Sequence, residues 1–327
     1  MLAHLIRALA IRAFAAAFAL APLVSFAQAY PERPIRLVVP FPPGGNIDVV
    51  GRLVGEHLGP VLGQNVIIDN RPGAGGAVGA ESVAKSPPDG YTVLLGSGST
   101  HGTNPAVVKS LPYDAVKDFA PVVLIGRYPL VLLANPALPA QNVPALIALA
   151  KSSPGKLNFG TYGQGSANHL PVELFKAMTG VEIVHVPYKG AAPALAGLMA
   201  GEVQIMFDGL GSSTQFIRSG KVKLLGTGGS KRSPSAPEAA TISEAGVAGF
   251  EAGSFFGLFA PAGTPPATIA VLNGAMHKAL AAPQLRARFA SFDYEVAGGP
   301  PEDLGRVVVA EVAKWRKLIQ DRNLKFD

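Results

Sequence analysis

The sequence predicts an α/β protein of two lobes, each a mainly parallel sheet flanked by helices. Three observations predict it. Short apolar, β-branched runs alternate with helix-period stretches along most of the chain. The 327 residues are long for one core and comfortable for two. The alternation is also interrupted at two places, around Gly126-Arg127-Tyr128-Pro129 and across Gly246–Gly253. A chain that leaves one lobe at the first place and returns at the second builds a hinged clamshell. The expected units are then 30–127 plus 251–327 for one lobe and 128–250 for the other.

Residues 1–29 read as a secretory signal. Arg7 and Arg12 precede an apolar stretch from Ala13 to Phe26, and Ala27-Gln28-Ala29 supplies the small-x-small cleavage pattern. The apolar stretch is shorter than a membrane span needs and is Ala-rich. The mature chain is therefore expected to begin at Tyr30 and to work in the periplasm, exported by a cleaved signal peptide.

Strands are expected at Ile35–Val39, Val66–Ile68, Thr92–Leu95, Val122–Ile125, Leu130–Ala134, Asn158–Thr161, Ile183–Val186, Val203–Phe207, Val222–Leu225 and Phe255–Ala260. Helices are expected between them at Ile47–Leu62, Ala77–Lys85, Val143–Lys151, Ser166–Thr179, Ala191–Ala200 and Thr214–Ser219. The tail reads as three further helices, Pro265–Ala281, Ala282–Phe289 and Pro301–Asn323, with little strand between them.

The turns between these elements carry the chemistry. After the first strand, Pro40-Phe41-Pro42-Pro43 stops the run and Gly44-Gly45 frees the backbone. Asn46 reads as the N-cap, and Asp48 sits in the first helical turn, where a carboxylate suits the dipole. Backbone N–H groups at such a turn cradle anions, carboxylates included. Thr161-Tyr162-Gly163-Gln164-Gly165-Ser166 repeats the design, with Ser166 as the expected N-cap and His169 three residues on. Val186-Pro187-Tyr188-Lys189-Gly190 is a third strand-to-helix turn. Phe207-Asp208-Gly209 ends a fourth strand on a carboxylate. Gly96-Ser97-Gly98-Ser99-Thr100-His101 follows a fifth strand and is rich in hydroxyls. In open α/β sheets ligands bind off such carboxyl ends.

Several function classes are disfavoured. The net charge of +6 falls to about +4 without Arg7 and Arg12. That excess is scattered, and the cations of the C-terminal helix, Arg306, Lys314, Arg316, Lys317, Arg322 and Lys325, are interleaved with Glu311 and Asp321 on a solvated face, so no nucleic-acid partner is expected. There is no cysteine for thiol chemistry or disulfides. The six histidines stand at no metal-ligand spacing, so no metal and no cofactor are expected. Arg71-Pro72-Gly73-Ala74-Gly75-Gly76 lacks the dinucleotide fingerprint and its acidic partner. A nucleophilic site at Ser166 and His169 lacks a G-x-S-x-G elbow.

Taken together, these segments resemble the periplasmic receptors of the tripartite tricarboxylate transporter family, also called Bug proteins. The resemblance rests on Tyr30-Pro31 with Pro34-Ile35-Arg36-Leu37-Val38-Val39-Pro40-Phe41-Pro42-Pro43-Gly44-Gly45, on Asn70-Arg71-Pro72-Gly73-Ala74-Gly75-Gly76, and on Pro88-Asp89-Gly90-Tyr91-Thr92. It continues through Leu111-Pro112-Tyr113-Asp114, Pro154-Gly155-Lys156-Leu157-Asn158, Gly163-x-Gly165-Ser166-x-x-His169-Leu170, Val186-Pro187-Tyr188-Lys189-Gly190, Glu244-Ala245-Gly246 and Pro261-Ala262-Gly263-Thr264-Pro265. It implies a non-enzymatic clamshell of the periplasmic-binding-protein type that holds a small carboxylate through backbone amides and waters. It also implies delivery of that ligand to membrane permease subunits, and a monomer is expected. The chain departs from the family pattern at Asn46-Ile47, where a hydroxyl is usual, at Gly197, often Asp, and at Ala240-Thr241, usually Pro-Thr.

On this reading Phe41, Gly44, Gly45 and Asn46 bind from the first lobe, with Ser97 and Ser99 nearby. Gly163, Gly165, Ser166, His169, Tyr188, Lys189, Gly190 and Asp208 line the second. Asp208 would accept from an amine, hydroxyl or water, or select against excess negative charge. Two other readings stay open: a ligand-loaded co-receptor for a sensor kinase, and a periplasmic enzyme using Ser166, His169 and Asp208.

Overall fold

The computed structural model describes residues 30–321, 323 and 324; the signal segment lies outside the described residues. Two sheets organise the chain. The first has six strands: β1 (Ile35–Val39), β2 (Val66–Asn70), β3 (Thr92–Ser97), β4 (Phe119–Pro129), β10 (Gly253–Pro261) and β11 (Glu295–Gly298). Their spatial order is β11-β4-β10-β3-β1-β2. The second has five: β5 (Val131–Ala134), β6 (Leu157–Thr161), β7 (Ile183–Pro187), β8 (Ile205–Asp208) and β9 (Lys223–Thr227), ordered β7-β6-β8-β5-β9.

The parallel pairs are those joined by crossover helices: β1 with β2 and β3, and β6 with β7 and β8. The strands around the lobe crossings are antiparallel. β10 pairs antiparallel with β3 and β4, β11 with β4, and β5 with β8 and β9. Each sheet is thus mixed, because a chain that crosses between sheets and returns runs back against its neighbours.

The crossings lie side by side. β4 ends at Pro129 and β5 begins at Val131. The Leu130 N–H donates to the Ala252 carbonyl at 3.0 Å, Gly228 N–H to Leu130 O at 2.7 Å, and Ala252 N–H to Gly228 O at 2.8 Å. Three chain segments are therefore hydrogen-bonded together where the chain passes between the sheets.

Local sequence explains the element that matters most, α1 (Asn46–Leu62). Val50, Val54 and Leu58 recur every fourth residue and are buried against the sheet. Gly51 and Gly55 let the helix lie close: a Cβ would come within 2.8 Å of Val39 Cγ2 at the first and 3.0 Å of Ile68 Cδ1 at the second. Gly63 stops the helix in the left-handed region at φ +66°.

The other helices are α2 (Ala77–Ala84), α3 (Asn104–Val107), α4 (Val143–Ser152), α5 (His169–Thr179), α6 (Ala191–Ala200) and α7 (Leu210–Arg218). The tail adds α8 (Pro266–Leu280), α9 (Pro283–Ala290) and α10 (Pro301–Asp321). A π-helical turn, Ser99–Thr103, runs directly into α3. One apolar cluster runs through both lobes, from Leu37 and Val54 to Phe159 and Phe207. Trp315 on α10 packs with Val107 and with Leu170 of α5.

Three local expectations are corrected. Asn46 is the first residue of α1 and Gly45 is its N-cap, so the Asn46 side chain is released from capping. Ser166 does not cap α5 either; the cap position is Asn168, and Ser166 Oγ donates within its own turn to Gly163 O at 2.6 Å. Helix α7 starts at Leu210, directly after Gly209, four residues before the expected start.

Candidate functional site

The first turn is fixed from behind. Asp48, 3% exposed, accepts the Gly44 N–H at 2.9 Å, Arg52 Nε at 2.9 Å and Asn70 Nδ2 at 2.9 Å. Asn70 Nδ2 also reaches the Phe41 carbonyl at 3.0 Å. Burial pushes the Asp48 carboxyl up, but the bonds from Arg52, Gly44 and Asn70 outweigh it and hold it below the ordinary carboxylate range. Gly44 stands at φ +86°, a conformation that glycine adopts without strain. The first N–H groups of α1 have no partner within the helix and point off its end.

Two more helix ends meet this one. A Cβ on Gly45 would lie 3.1 Å from Ala191 Cβ, and one on Gly44 3.8 Å from Ala192 Cβ, at the start of α6. Gly190 abuts Pro42, whose Cδ would lie 2.6 Å from an added Cβ. Gly209, which precedes α7, lies directly against the Asn46 side chain, as does Gly211. The N-termini of α1, α6 and α7 therefore converge at the seam between the lobes. Each carries about half a positive charge from its aligned peptide dipoles.

The hydroxyl-rich turn after β3 meets the Gly163–Gly165 turn on the same seam. Ser99 Oγ accepts the Ala167 N–H at 2.8 Å, and Ser97 Oγ accepts the Ser99 N–H at 3.3 Å. Thr103 donates to the Gly165 carbonyl. Asn104 bonds Gly75 O at 3.1 Å and lies against Gly165. Gly163 lies beside Gly75, so the Gly73–Gly76 loop is a lobe-to-lobe contact. Phe41 presents its ring to the edge of Tyr162, 6.4 Å between centroids.

Asp208 is fully buried at the end of β8. Tyr162 donates to its Oδ1, and Ser212 Oγ to its Oδ2 at 2.8 Å. Burial pushes its pKa up to about 6, with Tyr162, Ser212 and the Gly209 N–H acting against that rise. Burial, and then Asp208 itself, raise the Tyr162 phenol well above its usual value. Within the first lobe, from the residue before β11, the Tyr294 hydroxyl donates to Asn46 Oδ1. Tyr128, buried and pushed up to about 12, stacks on Phe256 at 4.6 Å and lies beside Asn46 and Ser254.

Most of the expected residues therefore gather at one place. Phe41, Gly44, Gly45, Asn46, Ser97, Ser99, Gly163, Gly165, Ser166, Gly190 and Asp208 lie along the seam. Three lie elsewhere. His169 turns into the second lobe, where Nδ1 accepts the Gly165 N–H at 3.2 Å and the ring stacks on His185 at 4.1 Å. Burial lowers its pKa to about 3. Tyr188 lies over α6, its hydroxyl bonded to Glu202 at 2.9 Å and covering Gly197. Lys189 is exposed. Ser166 Oγ bonds Gly163 O and Asn168 Oδ1, while Asp208 takes Tyr162 and Ser212. Tyr128, Ser254 and Tyr294 gave no sequence signal; they reach the seam only through the strand order of the first sheet.

Known proteins resemble this chain along most of its length. The profile described as "Tripartite tricarboxylate transporter family receptor" matches residues 50–324. Protein BugT of Bordetella pertussis is 37% identical over 301 residues, covering 92% of each chain. The solved periplasmic binding protein BugD superposes with a TM-score of 0.87 at 35% identity, covering 90% of this chain and 99% of that one. R. palustris Rpa4515, solved with adipate, gives 0.88 at 40% identity with 90% and 99% covered. Among the described residues no helix is long and apolar enough to cross a membrane. The chain belongs to the tripartite tricarboxylate transporter receptor family, whose relatives here are periplasmic solute-binding proteins rather than enzymes.

Proposed function

We propose that this protein captures a small carboxylate between its lobes and delivers it to the permease subunits of a tripartite tricarboxylate-type transporter. The observation that carries the reading is the convergence of three helix N-termini, those of α1, α6 and α7, on one seam. Backbone N–H groups and helix dipoles there favour an anion without a paired cation. Two of these helices follow strands of the second sheet and one follows a strand of the first, so the ligand itself would join the lobes. The adipate in the related Rpa4515 structure supports the ligand class.

In this reading the lobes comprise residues 30–127 with 251–327, and 128–250. The hinge at Leu130, Gly228 and Ala252 lets them part. The mature chain starts at Tyr30, works as a periplasmic monomer, and uses no metal or cofactor.

Thermal melting of the mature protein with a panel of small carboxylates tests this. A cognate ligand at about 100 times its Kd adds roughly 2.7 kcal/mol of stability, and is recovered unchanged after long incubation. Steady appearance of product, or no stabilisation by any carboxylate, overturns the reading. Intact mass from the periplasmic fraction tests the Tyr30 start.

A further inference from the structure

Four buried side-chain atoms have no hydrogen-bond partner among the described residues: Asn46 Nδ2, Ser254 Oγ, His101 Nε2 and Asn104 Oδ1. His101 is packed in the core, stacked on Phe259 at 3.8 Å. Asn104 is wedged between the Gly75 and Gly165 turns. The other two belong together. Asn46 is 5% exposed and Ser254 8%, and both flank the Tyr128 hydroxyl. They come from different elements, the start of α1 and strand β10, where Ser254 faces Tyr128 in register.

An unmade donor at such depth is costly, and its survival in a folded chain calls for a partner. Asn46 Oδ1 accepts from the Tyr294 hydroxyl, and Nδ2 is the end without a partner. We propose that Asn46 Nδ2 and Ser254 Oγ, with Tyr128 beside them, form a specificity subsite that reads an uncharged oxygen, a hydroxyl or carbonyl, on the bound carboxylate. The inference rests on the carboxylate-receptor reading above.

Charge selects the neutral oxygen. The amide and hydroxyls that meet here offer donors and a hydroxyl acceptor but carry no charge. The buried Asp208 carboxylate lies close enough to act on both Tyr128 and Tyr294, the two phenols that touch Asn46. A second ligand carboxylate placed here would meet that like charge away from water. A hydroxyl or carbonyl would not.

The test is a binding series by calorimetry on the mature protein. The probes are butyrate, its 2-, 3- and 4-hydroxy derivatives, succinate, hexanoate, 6-hydroxyhexanoate and adipate. At least one hydroxy acid should bind about tenfold or more tighter than both its parent acid and the matching dicarboxylate. Ser254→Ala should bring the ratio of hydroxy-acid to parent-acid affinity toward one, and Asn46→Asp should do the same. Circular dichroism establishes that each variant is folded. If wild type binds carboxylates without preferring a hydroxy acid, or prefers the dicarboxylate, the subsite is overturned and the carboxylate reading stands. The subsite is equally overturned if the preference survives in either folded variant. If no probe binds, the carboxylate reading is overturned and this inference with it.

Discussion

Asp48 accepts the backbone N–H of Gly44, four residues upstream, at 2.9 Å. One carboxylate thus ties the glycine turn to the helix that the turn opens. The same group takes Asn70 from β2 and Arg52 from the next helical turn. Its charge is met by the Arg52 guanidinium and by the Gly44 and Asn70 donors, so it restrains the turn. The sequence suggested an acidic residue suited to the dipole; the structure gives it a second task.

Removing that carboxylate should loosen the turn. Asp48→Ala leaves Asn70 Nδ2 without one acceptor and the Gly44 N–H without its partner, a loss of about 1–3 kcal/mol. Its folded pKa is lowered, so its contribution is present above the unfolded value of 3.8 and is lost as pH falls through the folded one. Urea denaturation of wild type and Asp48→Ala should therefore differ at pH 7 and converge in acid. Equal stability at pH 7 would contradict the restraint.

Asp208 behaves in the opposite sense. Its folded pKa of about 6 lies above the reference value of 3.8, so the folded state holds the proton more tightly. The stability it contributes is complete below 3.8 and is lost as pH rises through about 6, a change on the order of 3 kcal/mol. His101, His169 and His185 titrate the other way, so the comparison must be between variants. The stability difference between Asp208→Asn and wild type should shift in the variant's favour from pH 4 to pH 7. A pH-independent difference rules out the raised pKa.

Much of this fold was legible because its signals are local. The run Ile35–Val39 and the helix Ala191–Ala200 sit where apolar pattern and glycine stops put them. β11 was not, since Glu295-Val296-Ala297-Gly298 has little strand character and forms because β4 offers it an edge. The Ser99–Thr103 turn was missed because hydroxyl-rich sequence reads as loop. For the site, turns at strand ends were visible, but side-chain direction was not. Tyr188 and His169 stand beside those turns, but Tyr188 bonds Glu202 and His169 stacks on His185. Tyr294, 248 residues from Asn46, is brought to it only by the tertiary fold.

Gly197 lies under the Tyr188 ring. The Tyr188 hydroxyl covers it on the way to Glu202, and any side chain there would collide with the ring. Gly197→Asp should displace Tyr188 and cost about 1–3 kcal/mol. Adding Tyr188→Ala should recover part of that loss, since the two sites share one contact. Additive losses in thermal melts of the two single variants and the double variant would break the link.

The decisive variant is Gly45→Val. Gly45 has φ −84° and ψ 168°, an extended conformation that valine adopts freely, so the turn itself is not strained. The change instead adds bulk at the seam, where a Cβ would sit 3.1 Å from Ala191 Cβ and the γ-methyls would press further. Stability should fall by no more than about 1 kcal/mol through the weaker N-cap. Affinity should fall more steeply, because the lobes cannot close and ligand bonds to one helix end are lost. Charge-assisted bonds of roughly 1.5–3 kcal/mol each correspond to a ten- to hundred-fold loss. Gly63→Val is the control. Its φ of +66° strains a β-branched residue by about 1–2 kcal/mol, yet nothing lies within 4 Å of its added Cβ. It should lose stability and keep its affinity. Calorimetry with a bound carboxylate, after circular dichroism establishes that both variants fold, separates the two effects. Wild-type affinity in folded Gly45→Val would place the ligand somewhere other than the meeting point of α1 and α6.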